Sequence, residues 1–119
     1  MWVLDTNTLI YFFKGQGRVS GTLLSHPPRD IGIPFIVLYE LEVGIAKSTS
    51  PRKRREQLRS LAQAVQILPF GPLEAEVAAS IRVDLEKQGK PIGPYDLLIA
   101  GTARAQGAIL PLTDDPYMD

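Results

Sequence analysis

A chain of 119 residues, 45% hydrophobic and 22% charged, has the size and mixture of one soluble globular domain. It is long enough to bury roughly two-thirds of its unfolded surface without a disulfide or a structural metal. Thirteen basic residues balance thirteen acidic ones, so net charge points to no partner, and the absence of cysteine excludes a thiol nucleophile, a zinc–thiolate site and disulfides.

Residues 2–4 read as a short buried strand. Thr6 to Lys14 carries Leu9, Ile10, Phe12 and Phe13 and predicts a first helix, stopped by Gly15 and Gly17. Val19 to Ser25 suggests a second short helix, ended by Pro27-Pro28. Asp30 to Ile33 is a strand candidate, and Pro34 reads as the first position of the next helix, where its missing N–H costs nothing. That helix runs to about Lys47. A polar, basic stretch from Ser48 to Arg59 leads into a helix through Ala64, and Val65 to Phe70 reads as a strand. Gly71-Pro72 opens a long helix to about Gln88, closed by Gly89. Gly93-Pro94 opens another to about Gln106, closed by Gly107, before a last strand candidate at Ile109 to Leu112. Short apolar runs alternating with helices imply a parallel α/β sheet of four to five strands flanked by helices. With no repeat, low-complexity tract or long linker, residues 1–119 read as a single domain. There is no basic region ahead of the N-terminal apolar residues and no long apolar stretch, which argues against a signal peptide or membrane span and for the cytoplasm.

Acids stand where a parallel sheet would place a site. Asp5 follows the apolar run Met1-Trp2-Val3-Leu4, and ligands of open α/β sheets bind outside the carboxyl ends of the strands. Asp5 also suits the N-cap of the first helix, and the two roles are compatible. Glu40 lies within an apolar helical pattern, sharing a face with Val37, Leu41 and Gly44. Burying an unpaired charge costs several kcal/mol, so a cation, either a basic side chain or a metal, is expected opposite it. Glu42 lies about 200° further round the helix and is expected in solvent. Gly44 either admits another backbone or only weakens the helix. Asp96 is the third residue of its helix if Pro94 is the first, where the dipole favours an acid by about 0.3–1 kcal/mol. The apolar Leu97 to Ala103 implies a buried helix, whose first-turn acid should face the sheet end. Asp114 and Asp115 follow the last apolar run. Carboxylates converging without histidine or cysteine make a hard oxygen site suited to Mg²⁺ or Mn²⁺ and not to zinc, and such an ion can activate water against a phosphodiester. The one histidine, His26, falls in the loop-like Ser25-His26-Pro27-Pro28, a poor place for a triad base.

Three segments together resemble a PIN domain of the VapC-type toxin subgroup of toxin–antitoxin pairs: Leu4-Asp5-Thr6-Asn7, Tyr39-Glu40-Leu41-Glu42-Val43-Gly44, and Ile92-Gly93-Pro94-Tyr95-Asp96-Leu97-Leu98-Ile99-Ala100. The resemblance spans nearly the whole chain. It implies a Mg²⁺- or Mn²⁺-dependent endoribonuclease acting on structured RNA, often tRNA or a ribosomal RNA loop. It also implies a homodimer held inactive by a cognate VapB-like antitoxin. Carried over, Asp5, Glu40 and Asp96 match the family's metal-binding and catalytic acids, and Asp115 matches the fourth. Asn7 matches a polar position that supports the first aspartate, and Thr113 the hydroxyl residue after the last central strand. Leu110-Pro111-Leu112-Thr113 departs from the family pattern, because proline removes a ladder hydrogen bond. The register of Asp114 against Asp115 stays open for that reason. Relatives usually continue beyond the equivalent of Asp119, so the last sheet edge is expected to be shortened, disordered or supplied by a partner.

Arg52, Lys53, Arg54 and Arg55 form the concentrated basic run, read either as a phosphate-binding edge or as a solvated helix start. Their charge opposes the helix dipole, a frustration that a phosphate or a nearby acid such as Glu56 would relieve. Lys14, Arg82 and Arg104 are scattered further cations. Two other functions compete. Phosphotransfer through Asp5 is disfavoured, because Asn7 occupies the place of the second aspartate. A catalytically degenerate PIN domain that only binds RNA or protein is opposed by the intact Asp5, Glu40 and Asp96.

Overall fold

The computed structural model describes residues 1–14 and 26–107, leaving aside the side chains of Tyr11, Phe12 and Lys14. The expected helix over 19–25, the strand over 109–112, and Thr113, Asp114 and Asp115 lie outside the described residues. The elements in order are β1 (Trp2–Val3), α1 (Thr6–Lys14), a short 3-10 turn (Pro28–Asp30), β2 (Ile31–Pro34), α2 (Phe35–Ala46), α3 (Pro51–Ala64), β3 (Gln66–Leu68), α4 (Pro72–Lys87) and α5 (Pro94–Ala105). Among the described residues the sheet has three strands rather than four or five, all parallel, in the order β1-β2-β3.

All four residues of the central strand β2 are buried, as expected for a strand covered on both faces. A Cβ on Gly32 would stand 2.7 Å from Leu68 Cδ1 and 2.9 Å from Met1 Sδ, so a larger residue there would have to displace those side-chain ends. Trp2 faces Ile31 and Val3 faces Gly32, and Leu4 N–H donates to Gly32 O at 3.0 Å. The main core gathers Leu4, Leu9, Ile31, Ile33, Val37, Leu41, Ile45, Leu58 and Ile99, and a smaller cluster joins Val3, Leu68 and Ala103. Val37, Leu41 and Ile45 form the one buried stripe of α2, at i, i+4 and i+8.

Three boundaries differ from expectation. Pro34 ends β2 and caps α2 from an extended conformation (φ −62°, ψ 148°) instead of opening the helix, because it pairs with Leu68 in the sheet. The basic stretch is already helical from Pro51, whose fixed φ suits a first position. Ser50 N–H, just ahead, donates to Ser48 Oγ at 2.9 Å. β3 is only three residues long and stops before Pro69, which has no N–H for a ladder. The Gly-Pro starts and glycine ends of α4 and α5 are where the sequence puts them, with Gly89 and Gly107 at φ +68° and +61°. Gly71 N–H donates to the buried Glu74 carboxylate at 2.8 Å, fixing the start of α4. No helix among the described residues is long and apolar enough to cross a membrane.

Candidate active site

Parallel strands bring their carboxyl ends to one edge, and Asp5 stands at the end of β1. It caps α1: Thr8 N–H donates to Asp5 Oδ1 at 2.8 Å. The hydrogen bond that holds this carboxylate therefore comes from Thr8, while Asn7 is exposed at the second helical position. The next residue, Thr6, donates its hydroxyl to Glu40 Oε1 at 2.7 Å, across 34 positions of sequence. A single dipeptide, Asp5-Thr6, thus carries one acid and tethers the second.

Glu40 is half-buried at the margin of the buried stripe of α2, between the buried Val37 and Leu41 and the exposed Gly44. Its partner is the Thr6 hydroxyl. Among the described residues it makes no ion pair, so of the two cations expected opposite it, a basic side chain or a metal, the basic side chain is not found there. Arg54 lines the same groove, a cleft of about 400 Å³ that also includes Ile10, Leu41 and Ile45. Its Nη1 donates instead to Gln57 Oε1 at 3.0 Å and Phe13 O at 3.3 Å. Glu42, expected in solvent, is paired: Arg55 Nη1 donates to its two carboxylate oxygens at 3.1 and 3.3 Å.

Asp96 is the third residue of α5, as the position of Pro94 predicts, and it is exposed. Its Oδ2 lies 3.7 Å from where a Cβ on Gly93 would stand, so the carboxylate turns back over the start of its own helix. The rest of α5 is anchored by the buried Leu97, Ile99, Gly101, Thr102 and Ala103. Besides sharing the core through Ile99 and Val37, the two acid-bearing helices meet at the residues just before the acids. The rings of Tyr39 and Tyr95 meet edge-to-face, 5.9 Å between centroids at 76°. Hydrogen bonding to Tyr39 holds the Tyr95 phenol above its ordinary range, with further lifts from the charge of Tyr39, from partial desolvation and from the Glu40 carboxylate.

Asp5 and Glu40 are therefore joined through Thr6, and the helix that carries Asp96 meets the helix that carries Glu40 at the tyrosine pair. Among the described residues no three acids or histidines form a metal-holding group. His26 stacks on Trp2 (centroids 4.7 Å apart, planes at 32°), beside the start of β1 rather than the acids at its end. In the basic run, Arg54 and Arg55 are half-buried and bonded within the fold, whereas Arg52 and Lys53 are exposed. The importance of Thr6 had a sequence signal in its place beside Asp5. The tyrosine contact and the Glu42–Arg55 pair had none, since each depends on how helices pack.

A parallel sheet with one acid at a strand end, and a second bonded back to that end, defines an open α/β domain whose candidate site lies at the carboxyl edge. The chain belongs to the PIN domain family, whose model matches residues 2–119. It is 34% identical over 109 residues to Ribonuclease VapC2 of Haemophilus influenzae, covering 92% of this chain and 83% of that protein. It is 29% identical over 109 residues, with the same coverage, to a tRNA(fMet)-specific endonuclease VapC of Shigella flexneri. Among solved structures it resembles the crystal structure of DNA-bound VapBC from Salmonella typhimurium, with TM-score 0.83 and 30% identity over 92% of this chain and 83% of that one.

Proposed function

We propose that this chain is an endoribonuclease toxin that hydrolyses phosphodiester bonds in structured RNA, tRNA or ribosomal RNA, and is restrained by a VapB-like antitoxin. The observation that carries this reading is the Thr6–Glu40 hydrogen bond, which ties a second carboxylate to the strand end that bears Asp5. Membership of the PIN family and likeness to proteins named ribonuclease and tRNA-specific endonuclease support it.

The donor chemistry fits a hard divalent cation, Mg²⁺ or Mn²⁺. The chain has no cysteine, its histidine is stacked on Trp2, and Asp5 and Glu40 each have one oxygen engaged by a single donor. In this reading Asp5, Glu40, Asp96 and Asp115 would hold the ion, with Asn7, Thr113 and Asp114 in support. When bound, such an ion supplies an activated water and neutralises charge developing on the phosphate. Thr8 N–H orients Asp5, the Thr6 hydroxyl orients Glu40, and the first turn of α5 presents Asp96. Arg52 and Lys53 lead the RNA-binding contacts of the basic run, because Arg54 and Arg55 already serve the fold. The same reading makes the toxin a cytoplasmic homodimer of single-domain protomers.

The test is incubation of the purified protein with a pool of total tRNA and ribosomal RNA, with Mg²⁺, with Mn²⁺ and with EDTA, beside Asp96→Asn. Discrete cuts that need the metal and vanish in the variant are expected. Uncut RNA under every condition, from folded and antitoxin-free protein, would overturn the reading.

A further inference from the structure

Tyr39 and Tyr95 are large rings left at the surface, 52% and 44% exposed, on the two helices that carry Glu40 and Asp96. Each directly precedes its acid in sequence, and the two meet edge-to-face at 5.9 Å. An edge-on contact fixes the pair while keeping the faces of the edge-presenting ring away from its partner. Each ring is one residue from a carboxylate on its own helix, so the aromatic surface and the acids share one small area. A partner settling here must offer a flat apolar face and tolerate an adjacent anion. A nucleobase does both, being neutral and having a π-face whatever its identity. Loops of structured RNA present such bases unstacked. Tyrosine suits the task, since only two torsions need ordering.

We infer that Tyr39 and Tyr95 form a stacking platform that receives an unpaired nucleobase of the RNA strand beside the phosphodiester at the acids. The inference rests on the nuclease reading for the identity of the strand, but it concerns binding and is tested without cleavage. Here the platform contributes base stacking, while Arg52 and Lys53, on α3, contribute charge.

The probe is a fluorescein-labelled single-stranded 12-nucleotide oligoadenylate, compared with the same strand made abasic at its central positions. Both carry equal phosphate charge, and binding is read by anisotropy in EDTA at several salt concentrations. The unmutated protein is expected to prefer the intact strand by about 5- to 100-fold. Tyr95→Ala and Tyr39→Ala should erase most of that preference and leave the salt slope unchanged, while Tyr95→Phe and Tyr39→Phe should retain it. Equal affinity of the unmutated protein for the two strands would overturn the platform without reference to any variant. So would alanine variants that keep the preference but shift the mass in light scattering, which would assign the face to a protein contact. RNA cut with metal but no base preference would sink the platform alone. A base preference lost in the alanine variants, with no cutting by the unmutated protein, would sustain the platform and sink the nuclease.

Discussion

The two acid-bearing helices, α2 and α5, are built from similar words and held in opposite ways. Each has a tyrosine, then the acid, then a glycine one turn or slightly more further on: Tyr39-Glu40 with Gly44, and Tyr95-Asp96 with Gly101. In α5 the glycine is a point of closure, because a Cβ there would stand 2.6 Å from Ala78 Cβ and 2.9 Å from Ala78 Cα. In α2 no atom of the described residues lies within 4 Å of the equivalent position on Gly44. Asp96 is therefore placed by helix-on-helix packing, and Glu40 by a hydrogen bond to its side chain. A similar sequence pattern thus serves two positioning strategies, one steric and one polar.

The largest effect is expected of Gly101→Val. Its branched side chain would press on the backbone of α4, and overpacking of this kind costs about 1–3 kcal/mol, occasionally more. A loss of about 3 kcal/mol is expected in denaturant unfolding; a variant as stable as the parent would show that α4 and α5 are not clamped. Next in size is Thr6→Val, which removes the donor to Glu40. Hydrogen bonds to charged groups contribute about 1.5–3 kcal/mol, so RNA cleavage should fall roughly ten- to a hundredfold. Thr6→Ser should recover most of it, and full activity in the valine variant would remove Thr6 from the positioning of Glu40.

Gly44→Ala should move stability the other way. With no described atom within 4 Å of the site and an ordinary helical conformation, alanine should stabilise α2 by about 1 kcal/mol, read as a higher denaturation midpoint. Destabilisation would mean that Gly44 is closed by a contact after all, as Gly101 is. The smallest effect concerns the Tyr95 phenol, which the fold holds above its ordinary range. It keeps its proton longer in the folded chain than in the unfolded one. Its contribution to stability is thus present below the unfolded value and lost as pH rises through the folded value. Tyr39→Phe should lower its titration midpoint in ultraviolet absorbance, and Glu40→Gln by less, in the order of their influence. A larger shift from Glu40→Gln would reverse the assigned causes.

Much of the fold was legible where local chemistry decides it. Gly-Pro openings and glycine closures bounded α4 and α5 because proline and left-handed glycine act on the backbone at their own positions. Asp5 as a cap was legible for the same reason. The sequence did not reveal the end of β2, since Pro34 serves strand and helix at once and only its pairing with Leu68 decides. Nor did it reveal the partner of Glu42. That depends on α3 starting at Pro51 and presenting Arg55 to α2, a matter of packing angle and not of periodicity. At the candidate site, Asp5, Glu40 and Asp96 stood out as residues, but the contacts around them did not. Thr6 and the two tyrosines act across helices that are remote in sequence.

The reach of the Thr6–Glu40 bond has a consequence for when the protein can act. Its partners are 34 residues apart and meet only once β1 has docked along β2, so this contact is a fuse in the first third of the chain. If the two-residue strand lifts away, Asp5 and Thr6 leave together and Glu40 loses its tether, while the α4–α5 pair keeps its own packing. Loss of activity under mild denaturant should then precede the loss of most helix. An antitoxin or protease would need to loosen only a few residues at the N-terminus to disarm the site.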